Sequence, residues 1–487
     1  MRKRVLAIAA VTATLLSAGI GWARDLGEIL VEKGLITPEE LRQAREEDKQ
    51  KAAAEESRRD MLAAKLPKYK EGTGFVFVSP DNRWELDMGG RLQVRHTFSD
   101  VDDAFVNSAK RSKDSQTFDV PRARLWWKGR AFFPGLKYEV QIDVASTGSG
   151  DVLRDGILEY ELLDDNWLSI KGGQMKTPFC RQEITSSGRQ EFVDRSVACQ
   201  ALRFERDKGV QLFGTPMNSL VEYYVGAYNG TGRNNSLNPD THLLYIGRLA
   251  TNPLGPVPYS EADLENTSTP RFAVGTSFGY KKYRADEFTT AATTTADPNN
   301  PGGKIITAGG GATTRVPPVL GTIQPFYNSL ANLNDVSAEV RNFETDFTLR
   351  WLGLSVTGEY FRAFISNDER NIAVETAKPF SLPSHHFDAW GYYAQVGYFV
   401  IPSKLQLAFR YSKLTPNDKA TVTRSDGSAE TPRQTEILGA LSYYFAAHNL
   451  KLQTDFGPIT SDGVKNAAGK IDDRQDWRVR TQAQLIF

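Results

Sequence analysis

The chain has 487 residues, and its 59 basic and 59 acidic side chains balance to a formal net charge of +0 at pH 7. This balance gives no global signal for a nucleic acid partner. Two cysteines allow one disulfide at most. The length exceeds that of a typical single domain, yet no second hydrophobic core is evident, which favours one large unit.

The first 23 residues have the features of a secretory signal peptide. Arg2, Lys3 and Arg4 precede an apolar run over residues 5–20, and small residues lead up to Ala23. This pattern predicts export and cleavage after Ala23. The alternative is a retained helical anchor. No other run approaches the roughly 18 apolar residues that a membrane helix needs.

Residues 24–71 are predicted to form a helical, coiled-coil-like segment in the periplasm. The segment is rich in Glu, Lys, Arg, Ala and Leu, which favour helices. Thr37, Pro38 and Glu40 predict a helix start with a capping box. From residue 46 to residue 65 charges cover every face, which indicates a solvated helix, a spacer or a weak coiled coil, and Pro67 ends it.

After residue 72 polar and apolar side chains alternate, which is typical of β-strands with two different faces. In the first strand Leu92 and Val94 share one face, while Arg91 and Gln93 share the other. About 16 such segments are predicted, near 84–98, 118–133, 136–144, 153–163, 167–174, 207–214, 219–229, 242–250, 270–283, 343–351, 353–364, 388–400, 404–413, 435–446, 449–457 and 477–487.

The connections between these segments alternate in length. The short ones are 164–166, 352–353, 401–403 and 446–448, and the long ones are 99–117, 175–206, 284–342, 365–387, 414–434 and 458–476. The connection at 251–269 is an exception to this alternation. Short turns on one side and long loops on the other are typical of a transmembrane barrel.

These patterns predict an all-β fold, a 16-stranded antiparallel transmembrane β-barrel over residues 72–487. The chain ends on Phe487, an aromatic residue expected at the membrane edge and predicted to be the assembly signal. A soluble β-sandwich or solenoid is the alternative. The alternation of loop lengths argues against a sandwich, and no repeat period supports a solenoid.

Several short motifs, in their order along the chain, resemble the phosphate-selective porin O and P family. They are GGRLQ at 89–93, RARL at 122–125, LKYEVQID at 136–143, IKGGQ at 170–174, TSS at 185–187, GEYFR at 358–362, GYYAQ at 391–395 and QLIF at 484–487. The resemblance covers roughly Gly72 to Phe487. It implies a trimeric 16-stranded outer-membrane porin in which residues 175–206 form an inward constriction loop.

The expected function is passive diffusion of small hydrophilic solutes through a water-filled lumen. Inward cations, together with six positive and four negative side chains in the loop at 175–206, indicate a preference for anions. The residues expected to line the pore or bind anions are Arg91, Arg95, Arg122, Arg124, Lys128, Arg130, Lys176, Arg181, Arg189, Arg195, Arg203 and Arg206. Phosphate selectivity is less favoured, because phosphate-selecting relatives carry a lysine at the position of Glu183, and a carboxylate would repel a dianion.

Other kinds of function find little support in the sequence. No Walker loop, zinc spacing or Ser/His/Asp grouping is evident, so neither enzymatic activity nor a cofactor or metal is expected. His385 and His386 are expected to be solvated. The alternatives are a non-selective diffusion channel and a structural protein that tethers the outer membrane to the cell wall through residues 24–71.

The predicted location is the outer membrane of a Gram-negative bacterium. The expected partners are the lipid bilayer, lipopolysaccharide, the barrel-assembly machinery, small anions and further copies of the chain in a homotrimer. Cys180 and Cys199 are predicted to form a disulfide, since the compartment is oxidising. It would close a loop of about 20 residues, worth roughly 3 kcal/mol in the chain-entropy model, and would brace the loop at 175–206.

Overall fold

The computed structural model describes residues 30–65, 67–105, 114–145, 152–234, 238, 241–284, 293–296, 304–307, 313–315, 337–367, 386–419, 421–424, 426–466 and 468–487. The chain divides into two compact units, residues 1–66 and residues 67–487. The predicted signal peptide, residues 1–23, and the predicted solvation of His385 fall outside the described residues.

The first unit contains the helix α1, Pro38–Lys65. Its start confirms the predicted capping box, because the Thr37 amide donates to Glu40 Oε2 at 2.7 Å and the Glu40 amide donates to Thr37 Oγ1 at 3.2 Å. The helix carries charged residues on all sides and ends at Lys65. Within the described part of the chain, no helix has both the length and the apolar character that crossing a membrane requires.

The second unit is an antiparallel barrel preceded by a hairpin. The hairpin consists of β1 Lys68–Lys70 and β2 Gly74–Val78. The barrel strands of the first half are β3 Glu85–Asp100, β4 Ser115–Arg130, β5 Leu136–Asp143, β6 Leu153–Leu163, β7 Leu168–Lys176, β8 Arg206–Gly214, β9 Val221–Tyr228 and β10 Leu244–Thr251.

The second half of the barrel begins with β11 Arg271–Arg284. A separate small sheet follows, made of β12 Thr293–Ala296, β13 Lys304–Thr307 and β14 Thr313–Arg315. The barrel continues with β15 Ser337–Trp351, β16 Leu354–Asn367, β17 His386–Ile401 and β18 Leu405–Thr415. After the short pair β19 Val422–Thr423 and β20 Ala429–Glu430, it ends with β21 Arg433–Ala446, β22 Leu450–Lys465 and β23 Ile471–Ile486.

Sixteen strands of the described chain close the barrel, which confirms the predicted fold class. Each strand pairs with its neighbour in sequence, and β23 returns to pair with β3 from Trp477 opposite Asp100 to Ile486 opposite Arg91. Below that point β2 takes over the edge of β3, with Phe75 opposite Met88. The seam is therefore shared between the last strand and the N-terminal hairpin, which the alternation pattern did not predict.

Phe487 is built into this seam. Its amide donates to the Gly90 carbonyl at 2.9 Å and its carbonyl accepts from the Gly90 amide at 2.7 Å. A Cβ on Gly90 would lie 2.6 Å from the Phe487 ring, so a larger residue at this position would displace the ring.

The two faces of the wall have opposite polarity. On β18 the side chains of Gln406 and Arg410 point inward and are 1% and 0% exposed, whereas Leu407 and Phe409 point outward and are 52% and 50% exposed. On β3 the same alternation puts Leu92 and Val94 outside and Arg91 and Gln93 inside, as predicted. An apolar outer face around a polar interior is the arrangement of a membrane barrel.

The ends of the barrel differ as expected, with two exceptions. The short turns at 164–167, 352–353, 402–404 and 447–449 lie at one end, here called the short-turn end, and the long connections lie at the other, the long-loop end. The predicted long connection at 458–476 is wrong, because β22 continues to Lys465 and β23 begins at Ile471. Where a hairpin extends beyond the membrane, both of its faces contact water. Polar and apolar residues therefore need not alternate there, and the sequence pattern no longer indicates the strands.

The second exception is the connection at 252–270, here called the inward turn. It lies at the short-turn end and folds into the barrel, where Glu261 and Asp263 are 3% and 1% exposed. The Asp263 carboxylate accepts from the amides of Thr267 at 3.0 Å and Gly353 at 2.9 Å. These bonds fix the turn against the β15–β16 turn.

Candidate pore

Residues 177–205, here called the constriction loop, connect β7 to β8 and fold into the barrel interior. They contain two short helices, α2 Arg181–Ile184 and α3 Val197–Leu202. The apolar side of the loop, with Phe179 and Leu202 fully buried, packs against inward residues of β16 and β17 such as Phe361 and Tyr393. The predicted inward constriction loop is confirmed.

Polar side chains of the wall hold the loop backbone in place. Arg410 donates to the Asp194 carbonyl at 3.0 Å, and Lys451 donates to the Gln190 carbonyl at 2.9 Å. Farther round, Asn342 donates to the Leu202 carbonyl at 2.6 Å. These donors satisfy loop carbonyls that would otherwise be buried without partners, so the loop is fixed against the wall from β15 to β22.

The inward turn holds the same loop from the short-turn end. The Glu261 carboxylate accepts from Gln182 Nε2 at 2.9 Å and from the Glu191 amide at 2.8 Å. The Glu261 amide donates to the Arg189 carbonyl at 2.9 Å. Two connections from opposite ends of the barrel therefore meet inside it, and the open space is left on the side of β3 to β9.

That open space forms two cavities. The upper cavity, of about 100 Å³, lies toward the long-loop end and is lined by nine cationic and four acidic side chains. The lower cavity, of about 460 Å³, lies toward the short-turn end and is lined by seven cationic and two acidic side chains. Arg124, Lys176 and Arg206 line both cavities, and these three residues are here called the neck.

Each neck residue is held by a partner. Arg124 pairs with Asp143 at 2.8 Å, and Arg206 pairs with Asp155 at 2.9 Å. Lys176 Nζ donates to the carbonyls of Glu183 at 2.6 Å, Ile184 at 3.0 Å and Thr185 at 3.1 Å. The neck cations are thus fixed in position, which is what an electrostatic filter requires.

Asp194 organises the upper cavity. It pairs with Arg95 at 3.1 Å, Arg122 at 3.4 Å and Arg480 at 2.6 Å. Burial acts to raise the pKa of Asp194, but Arg95, Arg480 and Arg122 outweigh it and hold the pKa well below its usual range. Arg480 also pairs with Asp455 at 2.7 Å, so three guanidinium groups share two carboxylates in this cluster.

Glu183 has a similar environment. It pairs with Arg195 at 3.0 Å and Arg203 at 3.1 Å. Burial raises the pKa of Glu183, but these arginines and Lys176 lower it overall to about 2. The carboxylate is ionised and outnumbered by its partners, so its neighbourhood is cationic and the expected repulsion of a dianion is offset.

Several cations of the lower cavity form no ion pair in the part of the chain that the structure describes. Among the described residues, Arg91, Lys128, Lys171 and Arg189 line this cavity without forming an ion pair. Arg91 instead donates to the hydroxyls of Ser186 at 3.2 Å and Ser187 at 3.1 Å. Lys171 was not among the predicted pore residues, although its inward parity on β7 marks it as one.

Two predicted residues lie away from both cavities. Arg130 stands at the short-turn end and pairs with Glu85 at 3.0 Å. Arg181 is 4% exposed, lies over the Tyr259 ring at 4.7 Å and approaches Asp346 at 4.0 Å. The remaining ten predicted cations line the cavities. Arg181 instead connects the constriction loop to the inward turn through its contact with Tyr259.

Cys180 and Cys199 lie at the start of α2 and within α3. Both are fully buried, and their Sγ atoms are 3.5 Å apart. Burial raises the pKa of the Cys180 thiol well above its usual value. Among the described residues, these sulfurs and a Glu359 oxygen form one group of three ligand atoms of the kind that metals bind.

A closed antiparallel barrel with an apolar outer face, a cationic lumen and a loop folded into it defines an outer-membrane diffusion channel, a porin. The chain belongs to the phosphate-selective porin O and P family, whose model matches residues 88–299 and 382–487. Family and fold indicate a channel rather than an enzyme, located in the outer membrane.

Three solved structures have a chain trace similar to that of this chain. OmpT of Vibrio cholerae matches with a TM-score of 0.47 at 12% identity, covering 84% of this chain and 99% of OmpT. The outer membrane channel DcaP of Acinetobacter baumannii has a TM-score of 0.47 at 13% identity, with 84% and 99% covered. An anion-selective porin from Comamonas acidovorans has a TM-score of 0.47 at 9% identity, with 82% and 99% covered. No curated protein sequence matches the chain.

Proposed function

We propose that this porin conducts small anions in preference to cations, along a route from the upper cavity through the neck to the lower cavity. The observation that carries this proposal is the neck itself, because Arg124, Lys176 and Arg206 line both cavities. A solute on this route passes three fixed cations between the two cavities.

The charges beside the neck strengthen the same preference. In the upper cavity most arginines are paired, so they supply an ordered but partly neutralised field. In the lower cavity Arg91, Lys128, Lys171 and Arg189 have no ion pair among the described residues. A narrow, low-dielectric passage focuses such a field and raises the local anion concentration.

The test is the reversal potential of single channels in a potassium chloride gradient. The wild type should show the sign that anion flow produces. Neutralising the unpaired cations together, as Lys128→Gln, Lys171→Gln and Arg189→Gln, should shift the reversal potential toward cations. Arg130→Gln is the matched control, since Arg130 lines neither cavity. An unchanged reversal potential in the triple variant would place the ion path elsewhere.

Phosphate belongs to the same proposal as one of the conducted anions. The motif at 185–187 holds Arg91 through two serine hydroxyls, and the Glu183 carboxylate is offset by Arg195 and Arg203. Adding phosphate to chloride should reduce the chloride current in a saturable way if phosphate binds along the route. A chloride current that phosphate does not change would exclude phosphate binding along the route, and the protein would then be a general anion channel.

We infer that the working unit is a homotrimer. The strands from β5 to β10 have 8 to 11 residues, whereas β15 to β17 have 14 to 16. A tilted strand needs about 9–11 residues to span the bilayer. In a trimer, contact with neighbouring copies would cover the part of the barrel wall that these short strands form. Light scattering of the detergent-solubilised protein measures the assembly, and a monomeric mass would exclude the trimer.

The export and surface partners are further proposals. Residues 1–23 would be removed as a signal peptide in a Gram-negative cell, and lipopolysaccharide and the barrel-assembly machinery would meet the apolar outer face. Residues 24–71 would lie in the periplasm, where the charged α1 could contact the cell wall. N-terminal sequencing of the mature protein and a peptidoglycan pull-down with and without residues 24–71 test these two points.

A further inference from the structure

The lower cavity contains aromatic side chains that the transport of inorganic ions does not require. Trp126, Phe213, Tyr224 and Tyr259 all line it. Among the described residues that line the upper cavity, by contrast, only Pro121 is apolar. The two halves of the route therefore offer a solute different chemistry.

Three of these rings stand at inward positions of barrel strands. Trp126 alternates on β4 with Arg124 and Lys128, and Phe213 lies directly opposite Tyr224 on the neighbouring strand. Inward positions of a water-filled barrel are normally polar, because apolar surface exposed to water is unfavourable. All three rings are only half-buried, so part of each faces the cavity.

A cation accompanies the rings. Phe213 and Tyr224 are nearly parallel, with an interplanar angle of 7° and centroids 6.0 Å apart. The ammonium of Lys171 lies 4.8 Å from the centroid of the Phe213 ring. Within the described chain Lys171 forms no ion pair, and neither do Lys128 and Arg189 in the same cavity. The cavity lining contains seven cations against the two carboxylates of Glu139 and Asp155. The cavity thus combines two parallel aromatic rings with an excess of positive charge.

We propose that the lower cavity is a binding site for organic anions that carry an aromatic ring, such as aromatic carboxylates. The ring would lie on Phe213 and Tyr224, and the carboxylate would face Lys171 and the other unpaired cations. The space is sufficient, since about 460 Å³ is available and a cavity of about 150 Å³ already accommodates benzene. This inference rests on the proposed preference for anions and adds the class of organic solute.

Packing of the rings against the protein alone is the other explanation. Trp126 has such a contact, because its Nε1 donates to the Thr73 carbonyl at 3.2 Å. Phe213 and Tyr224 also line the open space of the cavity, beside the ammonium of Lys171. Packing within the protein does not require a cation that forms no ion pair at this position. The experiment is therefore directed at these residues rather than at Trp126.

The experiment measures block of the chloride current through the full-length wild-type porin in planar bilayers. The probes are sodium benzoate, sodium acetate, which has the carboxylate without the ring, and benzyl alcohol, which has the ring without the charge. Benzoate should reach half-block at a concentration about tenfold below acetate, because ring stacking and cation–π contact add to the shared charge. Benzyl alcohol should not block.

Variants assign the effect to the site. Phe213→Leu and Tyr224→Leu should bring half-block by benzoate close to that by acetate, and Lys171→Gln should weaken block by both carboxylates. Phe278→Leu is the matched control, because Phe278 is an outward ring, 39% exposed. Heat-modifiable migration in gels verifies folding of each variant, and the three site variants are independent of one another.

The outcomes separate this inference from the proposed function. Equal block by benzoate and acetate, or benzoate block that survives all three site variants, would overturn the aromatic site. The reversal potential of the wild type in potassium chloride tests anion preference without any organic solute. If the channel prefers anions but is blocked equally by the two carboxylates, the aromatic site is excluded and the proposed anion preference stands.

Discussion

Glu191 and Glu261 form a carboxylate pair inside the barrel, where they are 1% and 3% exposed. Gln395 Nε2 lies 3.0 Å from an oxygen of each, and Glu191 also accepts from Ser355 and from Gln406 at 2.5 Å. Burial and the neighbouring Glu261 raise the pKa of Glu191 to about 8, although Ser355, Gln406 and Arg350 act in the opposite direction. At neutral pH Glu191 therefore keeps its proton.

The raised pKa of Glu191 predicts how the stability of the fold depends on pH. The folded-state pKa of Glu191 is raised, so folding binds a proton between about pH 4.5 and pH 8, and the stabilisation is complete below that range and lost as the pH rises through it. Each unit of pKa shift corresponds to about 1.4 kcal/mol. We expect the wild type to unfold more readily at pH 9 than at pH 5, in thermal or denaturant unfolding.

Glu191→Gln should make unfolding less dependent on pH, because the amide remains neutral throughout. The control is Glu265→Gln, an exposed carboxylate in the same inward turn, which should leave the wild-type pH profile unchanged. If Glu191→Gln and the wild type lose stability in parallel as the pH rises, the proton resides on another group.

At the scale of residues, the sequence predicts which face of the wall a side chain points to better than it predicts which residue that side chain pairs with. Alternation along β3 is enough to place Arg91 inside and Leu92 outside, since neighbouring side chains on a strand point to opposite faces. It cannot show that Asp143, on another strand, pairs with Arg124, or that Arg195 and Arg203 offset Glu183. These pairings depend on strand register and on the path of the constriction loop.

At the scale of elements, the inward turn and the constriction loop support each other. Glu261→Ala should release the loop, because it removes the acceptor for Gln182 and for the Glu191 amide. We expect a larger single-channel conductance with more frequent fluctuations between levels. Glu265→Ala, in the exposed part of the same turn, should behave like the wild type. A conductance unchanged in Glu261→Ala would show that wall contacts such as Lys451 suffice to hold the loop.

The two short helices of the loop can be joined covalently. With Sγ atoms 3.5 Å apart, Cys180 and Cys199 need only a small movement to reach the bond length of about 2.05 Å. We expect a disulfide in protein isolated from an oxidising compartment, and closing a loop of about 20 residues would stabilise the fold by roughly 3 kcal/mol.

Mass spectrometry of unreduced, alkylated protein decides this point. A single cross-linked peptide containing both cysteines is the expected product, whereas two alkylated cysteines would exclude the bridge. Cys180→Ser with Cys199→Ser should then lower resistance to denaturant relative to the unreduced wild type. The same comparison after reduction of the wild type is the control, because it removes the bridge without changing the side-chain set.

Elements with a regular period are predictable from this sequence, and those without one are not. The strand positions follow from a two-residue alternation, and the capping box at Thr37 follows from residue type and spacing. The inward turn has no period, and its entry into the barrel depends on distant partners such as Gly353. The hairpin β1–β2 is not predictable for a related reason. It is short, and in the described chain it pairs with the part of the β3 edge that β23 leaves free.

At the scale of the whole molecule, the fold depends on closing one seam. Until β23 pairs with β3, both strands present unsatisfied backbone groups, which are costly in a bilayer. Phe487 completes this pairing through its two hydrogen bonds with Gly90, and its ring lies over the glycine. The C-terminal residue therefore acts where the last strand meets the first.

Phe487→Ala should accordingly reduce the amount of folded barrel in the outer membrane. The backbone bonds to Gly90 can still form, but the ring that covers Gly90 and contributes apolar surface at the membrane edge is lost. The measurement is the heat-modifiable form in outer-membrane fractions. The matched control is Phe445→Ala, an outward ring near the short-turn end of β21 with 53% exposure, against 41% for Phe487. Equal losses in both variants would assign the effect to general lipid contact, and normal levels of folded Phe487→Ala would remove the terminal aromatic as the assembly signal.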